Sequence, residues 1–156
     1  MTETDLVDVY TIMAALEGSA ARNVTRLNPS ARAQLVRALK ETNAGFVAAA
    51  KRRNRNFDEM FELHNAFHAE LMDVTASPRL RILIDRVRPQ VHRYEYVYAA
   101  MVGPDYKDTF REHAAIIRAV RIGTASAAET AVKANWIKSA ERLRESFAAM
   151  GPRGVW

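Results

Sequence analysis

Apolar residues recur along the chain at three- and four-residue intervals, and no stretch keeps the strict alternation of a strand. The most regular stripe is Phe57, Met60, Phe61, His64, Phe67, His68 and Leu71, which predicts an amphipathic helix from about Phe57 to Val74. A first helix is predicted from Asp5 to Leu27, with Leu6, Val9, Tyr10, Met13, Leu16 and Ala20 inward. Asn28-Pro29 supplies a cap and a first-turn proline for a second helix reaching Lys51, with Leu35, Ala38, Leu39 and Phe46 inward and Gly45 as a weak point. Arg52 to Asn56 then breaks the pattern. Ser77-Pro78 repeats the start signal for a fourth helix carrying Leu80, Leu83, Ile84, Val87, Val91, Tyr94 and Tyr98. Pro89 lies inside it and is expected to kink it, because its missing N–H removes one rung. Gly103-Pro104-Asp105 marks a turn, and a fifth helix runs from Tyr106 to Ile122 on Phe110, His113, Ala114, Ile117 and Val120, with Gly123 as its stop. Ser126 opens a sixth with Val132, Asn135, Trp136, Ser139, Leu143 and Phe147, and Gly151 to Trp156 reads as a flexible tail. The expectation is an all-α protein, an antiparallel bundle of about six helices in one domain over residues 1–150.

Composition narrows the classes. A chain of 156 residues suits a single core. With no cysteine there is no disulfide, thiolate nucleophile or Cys-type zinc site, and a reducing compartment is compatible. No apolar run approaches a membrane span, and the acidic start Met-Thr-Glu-Thr-Asp-Leu lacks the layout of a signal peptide, so a cytoplasmic protein without membrane contact is expected. The Asn23-Val24-Thr25 sequon is then a chance match. A net charge of +5 permits nucleic-acid contact, but the basic cluster Lys51, Arg52, Arg53 and Arg55 has no aromatic platform or recognition-helix pattern beside it. It reads as a solvated loop whose cations suit a helix C-terminus.

Candidate chemistry lies in the histidines. His64 and His68, four apart, project from one face of one helix, the spacing that presents two imidazoles to one metal ion. His113 shares one property with them, a place on the inward stripe of its own helix. Two readings stay open: core histidines bonded to neighbours, or three neutral rings sharing a divalent cation with coordination positions left for a ligand. His92 is off the stripe and is expected to be exposed.

A family resemblance adds to this. Leu6-Val7-Asp8-Val9-Tyr10 through Leu16-Glu17, Phe67-His68-x-x-Leu71, Ser77-Pro78-Arg79-Leu80, Glu112-His113 followed by Ile116, Ile117 and Ala119, and Gly123-x-x-x-Ala127 occur in an order and spacing similar to the FCD domain. That is the C-terminal, effector-sensing domain of FadR-type GntR transcription regulators, and the chain resembles its six-helix, metal-binding subgroup. The resemblance implies a bound divalent metal ion, zinc or nickel, and a small carboxylate metabolite coordinating it. Carried over by position, the metal ligands are His64, His68, His113 and Asn135. His64 stands where the family has an acid or amide, and Asn135 where it has a histidine. Arg93, and less so Arg86, would pair with the carboxylate, and Tyr94, Tyr98 and Trp136 would line its pocket. Met13 replaces an arginine usual at the effector site.

The resemblance also implies a homodimer that contacts DNA only through a winged-helix domain absent from this chain. The function expected is therefore ligand sensing without catalysis. The alternatives are a stand-alone metal-dependent enzyme using Glu17, Glu62 or Glu112 as base, or a metal-free helical dimerisation module.

Overall fold

A computed structural model describes residues 2–98 and 106–150. The expected turn at Gly103-Pro104-Asp105 and the tail from Gly151 fall outside the described residues, as do the side chains of Tyr98 and Phe147. The described residues form α1 (Glu3–Ala21), a 3₁₀ segment (Arg22–Arg26), α2 (Pro29–Lys51), α3 (Phe57–Thr75), α4 (Pro78–Tyr98), α5 (Lys107–Ile122) and α6 (Ala125–Met150), with no strand among them. The all-α expectation of about six helices is met.

Helix ends follow from local chemistry. Asn28 Oδ1 accepts from Ala31 N at 2.8 Å ahead of Pro29, and Asn56 Oδ1 accepts from the amides of Asp58 and Glu59, satisfying donors that the first turn leaves free. Gly123 closes α5 with φ +78°, and its amide bonds Ala119 O at 2.9 Å. Arg55 donates from Nε to Ala50 O at 2.7 Å, so part of the basic cluster caps the end of α2.

Two boundaries differ from the sequence expectation. The first helix gives way to the 3₁₀ segment at Arg22 instead of continuing to Leu27. There the Thr25 hydroxyl donates back to Arg22 O, and Asn23 Nδ2 donates to Thr75 O at 2.8 Å, drawing the chain toward the end of α3. The last helix begins at Ala125, one residue before the expected Ser126, with Thr124 Oγ1 accepting from Ala127 N as its cap. α4 runs unbroken through Pro89.

α1 is central, packing along α6 and against α4, while α2 packs on α3 and α5, and α5 on α6. Their shared core includes Leu6, Tyr10, Met13, Leu39, Phe67, Leu71, Ile84, Val91, Ile116, Val132 and Trp136. A smaller cluster of Phe46, Ala49, Ala50 and Met60 sits between α2 and α3, with Tyr106 and Phe110 over it. Phe57 and Leu83, expected inward, are exposed at 46% each, because each lies at the margin of its stripe. Among the described residues seven polar side chains are nevertheless buried, namely Glu17, His68, Thr75, Glu95, Glu112, His113 and Asn135. Thr75 is explained locally, since its hydroxyl donates to Leu71 O at 2.7 Å.

Replacing Gly123 by alanine forces an L residue into the left-handed region and pushes a Cβ against the Arg32 guanidinium. Gly123→Ala should cost about 1–2 kcal/mol in urea unfolding; a change below a few tenths would mean that the turn relaxes without strain.

Candidate metal centre

His64 and His68 stand one turn apart on α3, and His113 reaches them from α5. Ring centroids are 5.0 Å apart for His64 and His68, 5.2 Å for His64 and His113, and 5.8 Å for His68 and His113. One potential ligand atom from each lies within 4.8 Å of the other two. Phe67 stacks on His113 at 4.0 Å, and the Trp136 ring sits 4.8 Å from His68, so apolar surface walls off the cluster.

Each ring has an oxygen neighbour outside the cluster. His68 Nδ1 lies 3.0 Å from Glu17 Oε2, and His113 Nδ1 lies 2.9 Å from Asn43 Oδ1. A carboxylate or amide oxygen only accepts, so both Nδ1 atoms carry the proton, and in the neutral form of each ring Nε2 presents the lone pair. Those two Nε2 atoms are buried and bond to nothing. His64 Nε2 lies 3.4 Å from Glu95 Oε1. Burial, then the neighbouring His64, His68 and Arg142, holds His113 well below the usual imidazole range, so it is neutral. Two orphaned lone pairs, together worth a few kcal/mol of lost hydration, fit a shared cation. Three imidazoles are a donor set suited to a divalent transition ion, and outer partners that fix the tautomer are a recurrent feature of such sites.

Around the rings lies a buried polar network. Glu17, fully buried on α1, also accepts from Trp136 Nε1 at 2.8 Å and from Arg88 at 3.1 Å. Glu112 on α5 takes both nitrogens of Arg142 at 2.7 and 2.8 Å, and Asn135 Nδ2 at 3.1 Å. Glu17 and Glu112 are thus engaged by donors, while Glu62 is exposed on α3. Burial, reinforced by the Glu95 charge, raises the Tyr10 phenol well above its usual value and keeps its proton in place.

A cavity of about 300 Å³ opens beside the cluster. His64, Glu95, Arg142 and Tyr10 contribute its polar wall, and Phe46, Met60, Phe61 and Tyr106 part of its apolar wall. Other residues carried over from the family fall elsewhere. Arg93 is exposed, Met13 is sealed in the core, and the Tyr94 hydroxyl turns away to bond Thr2 O and Asp5 at the start of α1. Trp136 points its N–H at Glu17 instead of lining the cavity. His92, expected on the surface, is half-buried with its ring 5.2 Å from Phe61, and burial lowers its pKa. Asn43, Arg88, Glu95 and Arg142 were not singled out by sequence. Asn43 and Glu95 do lie at the inward register of α2 and α4, the one signal available for them.

The family model described as the FCD domain matches residues 8–136, which includes all three histidines and Asn135. No curated protein matches the chain significantly.

Glu17→Ala removes the acceptor shared by three helices and strands a largely buried Arg88. It should cost about 3–5 kcal/mol in denaturant unfolding. A loss under 1 kcal/mol would show that the network is dispensable.

Proposed function

The chain belongs to the FCD domain family, and from that premise we propose that it is the ligand-sensing domain of a GntR/FadR-type bacterial regulator whose ligand is a small carboxylate metabolite bound at a divalent metal. FCD domains are regulatory effector-binding units. His64, His68 and His113 would hold the ion, zinc or nickel by the preference of imidazole donors. Asn135 would add at most an amide oxygen, since its nitrogen is committed to Glu112. The observation that carries this reading is the pair of buried, unpartnered Nε2 atoms on His68 and His113, each ring locked from behind by Glu17 or Asn43.

The ion would supply a fixed positive charge at which a carboxylate anchors. The protein does the rest. Glu17 and Asn43 hold two rings in one tautomer and orientation. Arg142, steadied by Glu112 and Ser139, places a second cation in the cavity wall and takes the role that sequence assigned to the exposed Arg93. The aromatic side chains would cover the apolar body of the metabolite and exclude water from it. Tyr98 belongs to the same proposal by position on α4.

Binding without turnover is the expected behaviour. Because the site draws side chains from α1, α2, α3, α4, α5 and α6, a ligand preferring one placement of these helices would shift their equilibrium and pass that bias to a DNA-reading domain elsewhere in the regulator. A homodimer is proposed on the exposed Ile82 and Leu83 of α4, apolar side chains that a second copy would cover. No helix among the described residues is long and apolar enough to cross a membrane; a cytoplasmic location is part of the proposal.

Purified untagged protein should contain about one equivalent of metal per chain by elemental analysis, and His68→Ala should contain none. Equal content in the two would remove the basis of the site. At a hundredfold excess over its dissociation constant, restored metal should stabilise stripped protein by about 2.7 kcal/mol, read as a rise in melting temperature. Citrate-like acids should raise the melting temperature of the loaded protein further and leave the stripped protein nearly unchanged. An equal shift in both forms would place the acid away from the ion.

A further inference from the structure

We propose that the metabolite sensed by this chain is an amino acid with an apolar side chain, its ammonium group taken by Glu95 and Tyr10 and its carboxylate by Arg142 and the histidine-held ion. The inference rests on the metal reading above and names the class of carboxylate that the cavity selects.

Glu95 and Tyr10 both line the cavity, and both are almost sealed from solvent, at 6% and 0% exposure. Each carries a buried oxygen without a hydrogen-bond partner, Glu95 Oε2 and the Tyr10 hydroxyl. The Glu95 charge is second only to burial in keeping the phenol protonated, so each group lies in the field of the other. Glu95 Oε1 lies 3.4 Å from His64 Nε2, longer than the about 2.7–2.9 Å of a charge-assisted bond. Glu95 also stands outside the set of donor atoms within 4.8 Å of one another, which belong to His64, His68 and His113. Among the described residues no lysine or arginine pairs with it; its contact is His64.

A carboxylate so enclosed calls for a positive partner, because a buried charge left alone is strongly unfavourable. A ligand hydroxyl would fill one lone pair of Oε2 and leave the charge uncompensated. An ammonium brings charge and several donors at once, enough for Oε2 and the phenol oxygen together. Asp58, exposed on the wall of the same cavity, adds a second negative charge. Arg142 supplies the opposite sign. It gives hydrogen bonds to Glu112 and Ser139 and keeps further N–H donors for a ligand carboxylate. One cavity thus offers acceptors for an amine and donors for an acid, the complement of a zwitterion. Its volume of about 300 Å³ suits a small metabolite, and Phe46, Met60, Phe61 and Leu143 give apolar surface to the remainder of that molecule.

The test titrates the zinc-loaded full chain by calorimetry with three matched sets, built on leucine, methionine and phenylalanine. Each set holds the amino acid, its 2-hydroxy analogue and the acid with no 2-substituent. In at least one set the amino acid should bind about tenfold or more tightly than both analogues, since a site built to bond a polar group rejects ligands that lack it. Within zinc-loaded Glu95→Gln the same ratio should fall below about threefold. Analogues that match their amino acid in every set would overturn the proposal. So would an undiminished amino preference in Glu95→Gln, which would put the nitrogen on the ion instead. Should Glu95→Gln not fold, Tyr10→Phe replaces it: a reduced amino preference supports the proposal, and an unchanged one refutes it. The two readings fail separately. Wild-type protein that takes up no metal defeats both, whereas metal-dependent stabilisation by citrate-like acids with no amino acid preferred defeats only this one.

Discussion

The Glu17 carboxylate ties the bundle together. It is fully buried on the central helix and receives a ring nitrogen of His68 from α3, the Trp136 indole from α6 and the Arg88 guanidinium from α4. A charge at that depth persists only when its lone pairs are filled and a countercharge is near. The packing of three helices on α1 is therefore constrained by direction as well as by apolar contact. A core of leucine and alanine tolerates sliding, but a carboxylate with three donors from three elements does not.

The second constraint follows from the first. By fixing the His68 proton on Nδ1, Glu17 turns the other nitrogen toward His64 and His113, and Asn43 does the same for His113. The bundle thus carries a pocket of lone pairs inside an apolar shell of Phe67 and Trp136. Left empty, such an arrangement costs free energy that a better packed apolar core would not.

The cavity shares its wall with this cluster, so binding and packing are not independent. His64 and Arg142 face the cavity and at the same time contact the network through Glu95 and Glu112. A molecule that draws on either side chain changes the hydrogen bonding of helices that touch the rest of the core. This is the physical content of sensing in a small helical bundle: a few directional contacts, shared between ligand and fold, convert occupancy into a preference among helix placements.

The periodicity of apolar residues was enough to define six helices, and the Asn-Pro, Ser-Pro and Gly signals placed most of their ends, because capping is local chemistry. The spacing of His64 and His68 and the inward register of His113 also put three rings on core faces from sequence alone. The end of α1 is not legible in that pattern, because side-chain bonds from Asn23 and Thr25 compete with the helical ladder there. What the linear pattern left undecided was which polar side chains meet across helices. Arg93 and Arg142 are alike in sequence, yet one faces solvent and the other lines the cavity; Tyr94 sits on an inward stripe, yet its hydroxyl leaves for the start of α1. Register says that a residue faces inward. Only the relative rotation of the packed helices decides what it faces, and that rotation is a property of all the contacts at once.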